Sequence, residues 1–169
     1  MKKYNFMSIG YDCSPAAALR TLNLREHALP FDWIVSKPSF LHQCFEDNFT
    51  GFHTELKYNE NKQTLVDKYG FQFPHDYPLI DDLSFNPLSL GEGEFGQQTN
   101  KIITPDWNNY YHVVKAKYER RIQRFLEIVQ SPLPIIMLCT YKTSDVLTIH
   151  FLFNKFYNKQ NIIFYQFYE

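Results

Sequence analysis

The chain has almost no net charge, no long apolar run, few glycines and no paired cysteines, and each shortage excludes something. With 17 basic against 18 acidic side chains, no general field draws the protein to nucleic acid or to an anionic membrane, so recognition has to come from local sites. The apolar stretches are too short and too polar to span a bilayer. Asn5, Ser8 and Asp12 interrupt the N-terminal run that a signal peptide would need. The three cysteines, Cys13, Cys44 and Cys139, fall into no pair and no ligand-like spacing. An odd, scattered set of thiols suits a reducing compartment better than a disulfide scaffold, and a cytoplasmic location is expected. The six glycines form no GxGxxG and no Gly-Lys-Ser/Thr, and no HExxH is present, so neither a cofactor nor a metal is expected. What the chain has in abundance is aromatic: 16 Phe and 12 Tyr, enough for a large core and for an apolar face turned to a protein partner.

Residues 4–9 read as a first strand, closed by Gly10. Ser14 is placed as an N-cap and Pro15 at the first helical position, where a missing N–H costs nothing, so a helix is expected over 15–22. The run Phe31-Asp32-Trp33-Ile34-Val35 is a short strand or a packed extended segment. Pro38 opens a helix with Phe40, Leu41, Cys44 and Phe45 on one side, ending before Gly51. No period is sustained over 52–104. Within it Phe71-Gln72-Phe73 alternates, Pro74-His75-Asp76-Tyr77-Pro78 marks a constrained loop at a strand end, and 84–104 reads as an irregular excursion.

Asp106 caps a long helix to about 129, with Tyr111, Val114, Tyr118, Ile122, Phe125 and Val129 on one face. That places Lys117, Arg120, Arg121 and Arg124 on its outward part. After Pro132 and Pro134, residues 135–139 form a continuous apolar strand, Ser144 opens a helix to about 156, and 162–167 supplies another strand. Strand, helix, strand with a crossover of this length is a parallel unit, apolar because it is buried on both faces. The expectation is one α/β domain over 1–169, three-layered around a mostly parallel, Rossmann-like sheet.

The chemically suggestive position is Cys13. It follows Gly10-Tyr11-Asp12, where the first strand turns into a helix whose open amides and dipole favour a thiolate. The plainer alternative is a small thiol filling a gap under a glycine turn. A thiol nucleophile needs a base, and His75, in its proline-bracketed loop, is the best placed of six histidines. Asp76 and Asp32 compete to orient it. Asp76 is adjacent, and neighbours on extended backbone point to opposite sides, while Asp32 sits between Phe31 and Trp33 and needs a donor to justify burial. The amides at Cys13 and Ser14, beside Gly10, could stabilise an oxyanion or hold a phosphate. Arg121 and Arg124 could grip a carboxylate or phosphate, or form a solvated face with Glu119 and Glu127.

Several blocks resemble a family of putative papain-like cysteine peptidases, formerly a domain of unknown function. They are Ser8-Ile9-Gly10-Tyr11-Asp12-Cys13 with Ala18-Leu19-Arg20, Leu24-Arg25, Pro30-Phe31-Asp32-Trp33-Ile34, Phe73-Pro74-His75-Asp76-Tyr77-Pro78 and the stretch from Lys117 to Phe125. The resemblance implies Cys13 as nucleophile, His75 as its histidine and Asp32 and Asp76 as the acidic positions. It also implies a papain-like α+β fold as the alternative to the parallel sheet, and by its measure the chain is a short member. Three functions follow as expectations. The first is a cysteine-dependent hydrolase or acyl-transfer enzyme acting on a small-molecule, peptide or glycan-linked substrate. The second is a noncatalytic or transferase-like module binding a phosphate-bearing or glycan-linked ligand, and the third a structural protein showing its aromatics to a partner.

Overall fold

A computed structural model describes residues 3–80 and 102–167. Three strands, β1 (Asn5–Ile9), β5 (Ile135–Cys139) and β6 (Ile162–Gln166), form a parallel sheet in the order β1-β5-β6. The registers run from Asn5 opposite Ile135 to Ile9 opposite Cys139, and from Ile135 opposite Ile162 to Cys139 opposite Gln166. Helix α4 (Thr143–Tyr157) links β5 to β6 and packs on α2 (Pro38–Glu46), while α1 (Ser14–Thr21) packs on β1. The left-handed backbone of Asn158, φ 51°, closes α4.

The expected single, mostly parallel, Rossmann-like sheet is corrected by a second, antiparallel one. Its strands β2 (Lys57–Tyr58), β3 (Leu65–Val66) and β4 (Gln72–Phe73) are two residues each, in that order. Short connections force this sense, because a chain that returns within a few residues can only pair antiparallel. Asn59 Oδ1 accepts the N–H groups of Gln63 and Thr64 to shape the first turn. Asp67 Oδ1 accepts those of Tyr69, Gly70 and Phe71 in the second, where Gly70 takes φ 103° against the Phe40 ring. The whole is an α/β domain of two sheets packed against helices.

The aromatics mostly serve the core. Phe31 lies within about 6 Å of the rings of Phe45, Phe49, Phe52, Phe71 and Phe125, tying the 30–33 turn to α2 and to α3 (Tyr111–Gln130). Others stay outside: Ile163, Tyr165 and Phe167 at β6, and Leu147 and Phe151 on α4, are exposed. On α3 the stripe holds for Val114, Tyr118, Phe125 and Val129, which are buried, while Tyr111 and Ile122 are half-buried. The outward placement holds for Arg120, which is exposed, and is corrected for two residues: Lys117 is 4% exposed and Arg121 1%, because buried carboxylates await them, while Arg124 is half-buried. Asp106 precedes a 3-10 turn, Trp107–Tyr110, before α3 begins. The expected excursion over 84–104 lies outside the described residues apart from its last three positions, where Ile103 bridges Leu79. No helix among the described residues is long and apolar enough to cross a membrane.

Candidate active site

The turn from β1 into α1 is clamped from two sides. Tyr11 N–H donates to Thr140 Oγ1 at 2.9 Å, and a Cβ on Gly10 would collide with that same hydroxyl, so only glycine lets β1 pass the end of β5. Ser36 donates both its N–H and its hydroxyl to the Gly10 carbonyl, at 2.9 and 3.0 Å, and its oxygen meets Tyr141 OH at 2.7 Å. Held in this way, Cys13 sits at the carboxyl end of the parallel sheet as the N-cap residue of α1, with φ −88° and ψ 0°. The expected cap at Ser14 is therefore one residue late. Asp12 does the capping, its Oδ1 accepting the Ser14 N–H at 2.8 Å.

The second sheet delivers the histidine. Val35 and Gln72 exchange backbone hydrogen bonds of 3.0 and 3.2 Å, so the far side of β4 is stapled to the segment that carries Trp33. Pro74 and His75 follow directly. The result brings Cys13 Sγ within 3.3 Å of His75 Nε2, across 62 residues of chain. The Trp33 ring stands edge-on to the imidazole, with centroids 6.0 Å apart and planes at 89°, and holds it from the side. Both side chains are half-buried and line a cleft of about 540 Å3. Cys44 and Cys139 are fully buried, and burial pushes both thiols up.

The two aspartates lie behind this pair, in a buried charge network. Asp32, 2% exposed, accepts Ser8 Oγ at 2.6 Å and Leu29 N–H at 2.8 Å, with Arg25 at 3.6 Å. Burial raises its carboxyl against the pull of those donors, Arg25 and Arg121. Asp76, also 2% exposed, accepts Lys117 Nζ on one oxygen and Tyr118 OH, at 2.7 Å, on the other. Burial would raise this carboxyl too, but Lys117 and Arg121 outweigh it and hold it at about 2. Arg121 thus acts on both carboxylates and lies over the Tyr118 ring at 5.4 Å. Arg124 reaches the Ala28 carbonyl at 3.5 Å and lines a separate cavity with Asn5, Glu26 and His27. Neither arginine is among the residues lining the Cys13 cleft.

Of the candidate residues, then, the fold unites Cys13 and His75, sets Gly10 and Ser14 in the turn beneath them, and directs Asp32, Asp76 and Arg121 into the interior. Among the cleft residues that the sequence does not single out are Trp33, Gln72 and Arg20. Trp33 was legible only as a core aromatic and Gln72 only as one position in an alternating run. Arg20 carried a usable signal, because positions 13, 17 and 20 share one face of a helix.

A thiol and an imidazole meeting in a cleft at a strand-to-helix turn are the minimum that nucleophilic cysteine chemistry requires. The family comparison agrees: the chain belongs to the family described as putative papain-like cysteine peptidase (DUF1796), whose model matches residues 4–163. No curated protein and no solved structure matches it.

Proposed function

We propose that the protein is a cysteine-dependent hydrolase or acyl-transfer enzyme that uses Cys13 as nucleophile and His75 as acid and base. The 3.3 Å contact between Cys13 Sγ and His75 Nε2 carries the reading. His75 Nε2 takes the thiol proton, and Cys13 Sγ forms a bond to the carbonyl carbon of an amide, thioester or ester. As the tetrahedral species collapses, the bond to the leaving group breaks and that group departs with the proton from His75. Water, deprotonated by the same imidazole, then cleaves the thioester and restores the thiol. The steps balance without a cofactor.

Trp33 supports this by standing edge-on to the imidazole, and the start of α1 adds a dipole that favours negative charge on sulfur against the opposing pull of the Asp12 carboxylate. The phosphate-binding alternative is weakened at the same place, because the Ser14 N–H already donates to Asp12, which sets a carboxylate beside the helix end. A reducing, cytoplasmic setting suits a working thiol, and a peptide is the substrate most in keeping with the family.

The test is the pH dependence of alkylation in the native protein, read by mass spectrometry at each cysteine. Cys13 should react alone, with a midpoint below the ~8.5 of an ordinary thiol. A Cys13 that reacts only above that value, no faster than a free thiol, would remove the activated nucleophile and the proposal with it.

A further inference from the structure

The parallel sheet ends at β6 on a strand that carries none of the devices by which proteins blunt an edge. The stretch from Gln160 to Phe167 holds no charge, no proline and no glycine. The nearest lysine, Lys159, is turned under the sheet, where its ammonium donates to the carbonyls of Ser131 and Leu133. Among the described residues no strand lies beyond β6. The opposite edge is different: β1 is buried apart from Phe6, which is half-buried.

The backbone of this edge has a definite phase. Ile135 N–H donates to the Asn161 carbonyl at 3.0 Å, and Phe167 N–H donates to the Cys139 carbonyl at 2.9 Å. The odd-numbered residues of β6 therefore turn their amides to β5, and the amides of Phe164 and Gln166 turn outward. The side chains alternate too. Phe164 stands against His150 of α4, with ring centroids 6.2 Å apart, and packs with Ile162 on the core. Ile163, Tyr165 and Phe167 face the other way and are 47%, 57% and 42% exposed.

We propose that β6 pairs antiparallel with the β6 of a second copy, about a two-fold axis between the two Phe164 residues. Outward amides pair only with outward amides, so Phe164 faces its own counterpart and Ile162 faces Gln166, the register that overlaps the whole strand. On the open face this sets Ile163 beside Tyr165 of the second copy, and the reverse, an aliphatic-aromatic cross-strand pair that stabilises a sheet. On the other face, strands about 4.8 Å apart bring α4 and its counterpart to about 10 Å, the spacing at which helices pack. Leu147 and Phe151 of α4 are exposed for that contact. At about 150–250 Å2 for a large side chain, the exposed parts of these five amount to roughly 500 Å2, so two copies bury roughly 1,000 Å2, the size at which specific but weak pairing begins. A buried β1 offers β6 no open edge, so the contact closes as a dimer and does not run on into a fibre. The Cys13 clefts, beside β1 at the far edge, stay open in both copies.

Sedimentation equilibrium on the whole chain tests this, with site-resolved hydrogen exchange as a second readout. The wild type should reach twice its 20.2 kDa mass by about 100 μM and dissociate on dilution, as a weak dimer does. The Phe164 and Gln166 amides should exchange about tenfold more slowly at the high concentration than at the low one. Ile163→Lys with Tyr165→Lys sets like charges opposite each other in this register, and should weaken pairing at least about a hundredfold. Ile163→Glu with Tyr165→Lys sets a carboxylate opposite an ammonium in the same register, and should restore the dimer. Both positions are exposed within the chain, and equal urea midpoints in dilute solution confirm that the variants fold. A wild type that stays monomeric, with Phe164 and Gln166 exchanging at one rate throughout, overturns the proposal. So does a dimer that survives the two lysines, which assigns it to another surface, or a dimer that the Glu and Lys variant does not restore, which removes the register. A mass that climbs past two chains without limit overturns the closed two-fold.

Discussion

His75 and Asp76 are adjacent in the chain and serve opposite sides of it. The imidazole of His75 faces Cys13 across the cleft at 3.3 Å, while the carboxylate of Asp76 faces the core and accepts hydrogen bonds from Lys117 and Tyr118. The loop that carries the proposed base is thus anchored to α3 one residue later. Asp76 and His75 share backbone, and the Asp76 side chain is committed to Lys117 and Tyr118 rather than to the imidazole.

Replacing His75 with glutamine keeps a polar side chain of similar reach but removes the proton acceptor. The midpoint of Cys13 alkylation should rise toward the ~8.5 of an ordinary thiol, and the rate at neutral pH should fall about tenfold or more. Rates of iodoacetamide labelling, resolved at Cys13 across pH, provide the measurement. Superimposable profiles for the two proteins would show that the imidazole does not govern the thiol.

Asp76→Asn removes one partner of a buried ion pair and strands Lys117, at a cost of roughly 3–5 kcal/mol at neutral pH. The gap should shrink in acid. A carboxyl held at about 2, below its unfolded value of 3.8, stabilises the fold fully above that value and loses the contribution as pH falls toward 2. That amounts to roughly 2 kcal/mol. Other groups run the opposite way: burial pushes Asp67 up to about 6 despite four backbone donors, so its ionisation costs stability as pH rises through that range. For this reason the quantity to follow is the difference between wild type and Asp76→Asn in urea unfolding at pH 6, 4 and 2. A difference that stays constant across that series would contradict the assignment.

What is legible in the sequence and what is not divide along physical lines. The α3 stripe is legible because Val114, Tyr118, Phe125 and Val129 repeat at the helical period, and β5 because it is continuously apolar. Lys117 and Arg121 read as outward because they lie beside the apolar stripe rather than in it and such residues are rarely buried without partners. Their partners, Asp76 and Asp32, lie far away in sequence, and no local pattern announces them. The antiparallel sheet was invisible because strands of two residues show no alternation. At the site, Cys13 and His75 could be nominated from the chemistry of their segments. Their meeting depends on the pairing of Val35 with Gln72 and on Ser36 holding Gly10, contacts that exist only in the folded chain.

The thiols offer a test of the core that needs no substrate. Cys44 and Cys139 are fully buried with raised thiol values, whereas Cys13 is half-buried in the cleft. A disulfide reagent should therefore titrate one thiol promptly in the native protein and the other two only as the domain opens, at rates that follow its stability in urea. Prompt reaction of Cys44 would mean that α2 does not seal the core against α4.

Gly10 sets the geometry on which the site depends. A Cβ here would clash with Thr140 Oγ1 and lie 3.2 Å from the Thr140 backbone nitrogen, so Gly10→Ala has to displace Thr140 and push β1 and the end of β5 apart. A loss of roughly 1–3 kcal/mol is expected from this overpacking, together with slower alkylation of Cys13, because the displaced turn carries the sulfur. Thr140→Ala removes the nearest obstacle but leaves Tyr11 N–H without its acceptor. The double variant should therefore recover part of the stability lost by Gly10→Ala, and the two changes should be strongly non-additive. Chemical unfolding of the four proteins measures the coupling. Additive losses would show that the two residues do not touch, and the close passage of β1 past β5 would have to be abandoned as what places Cys13.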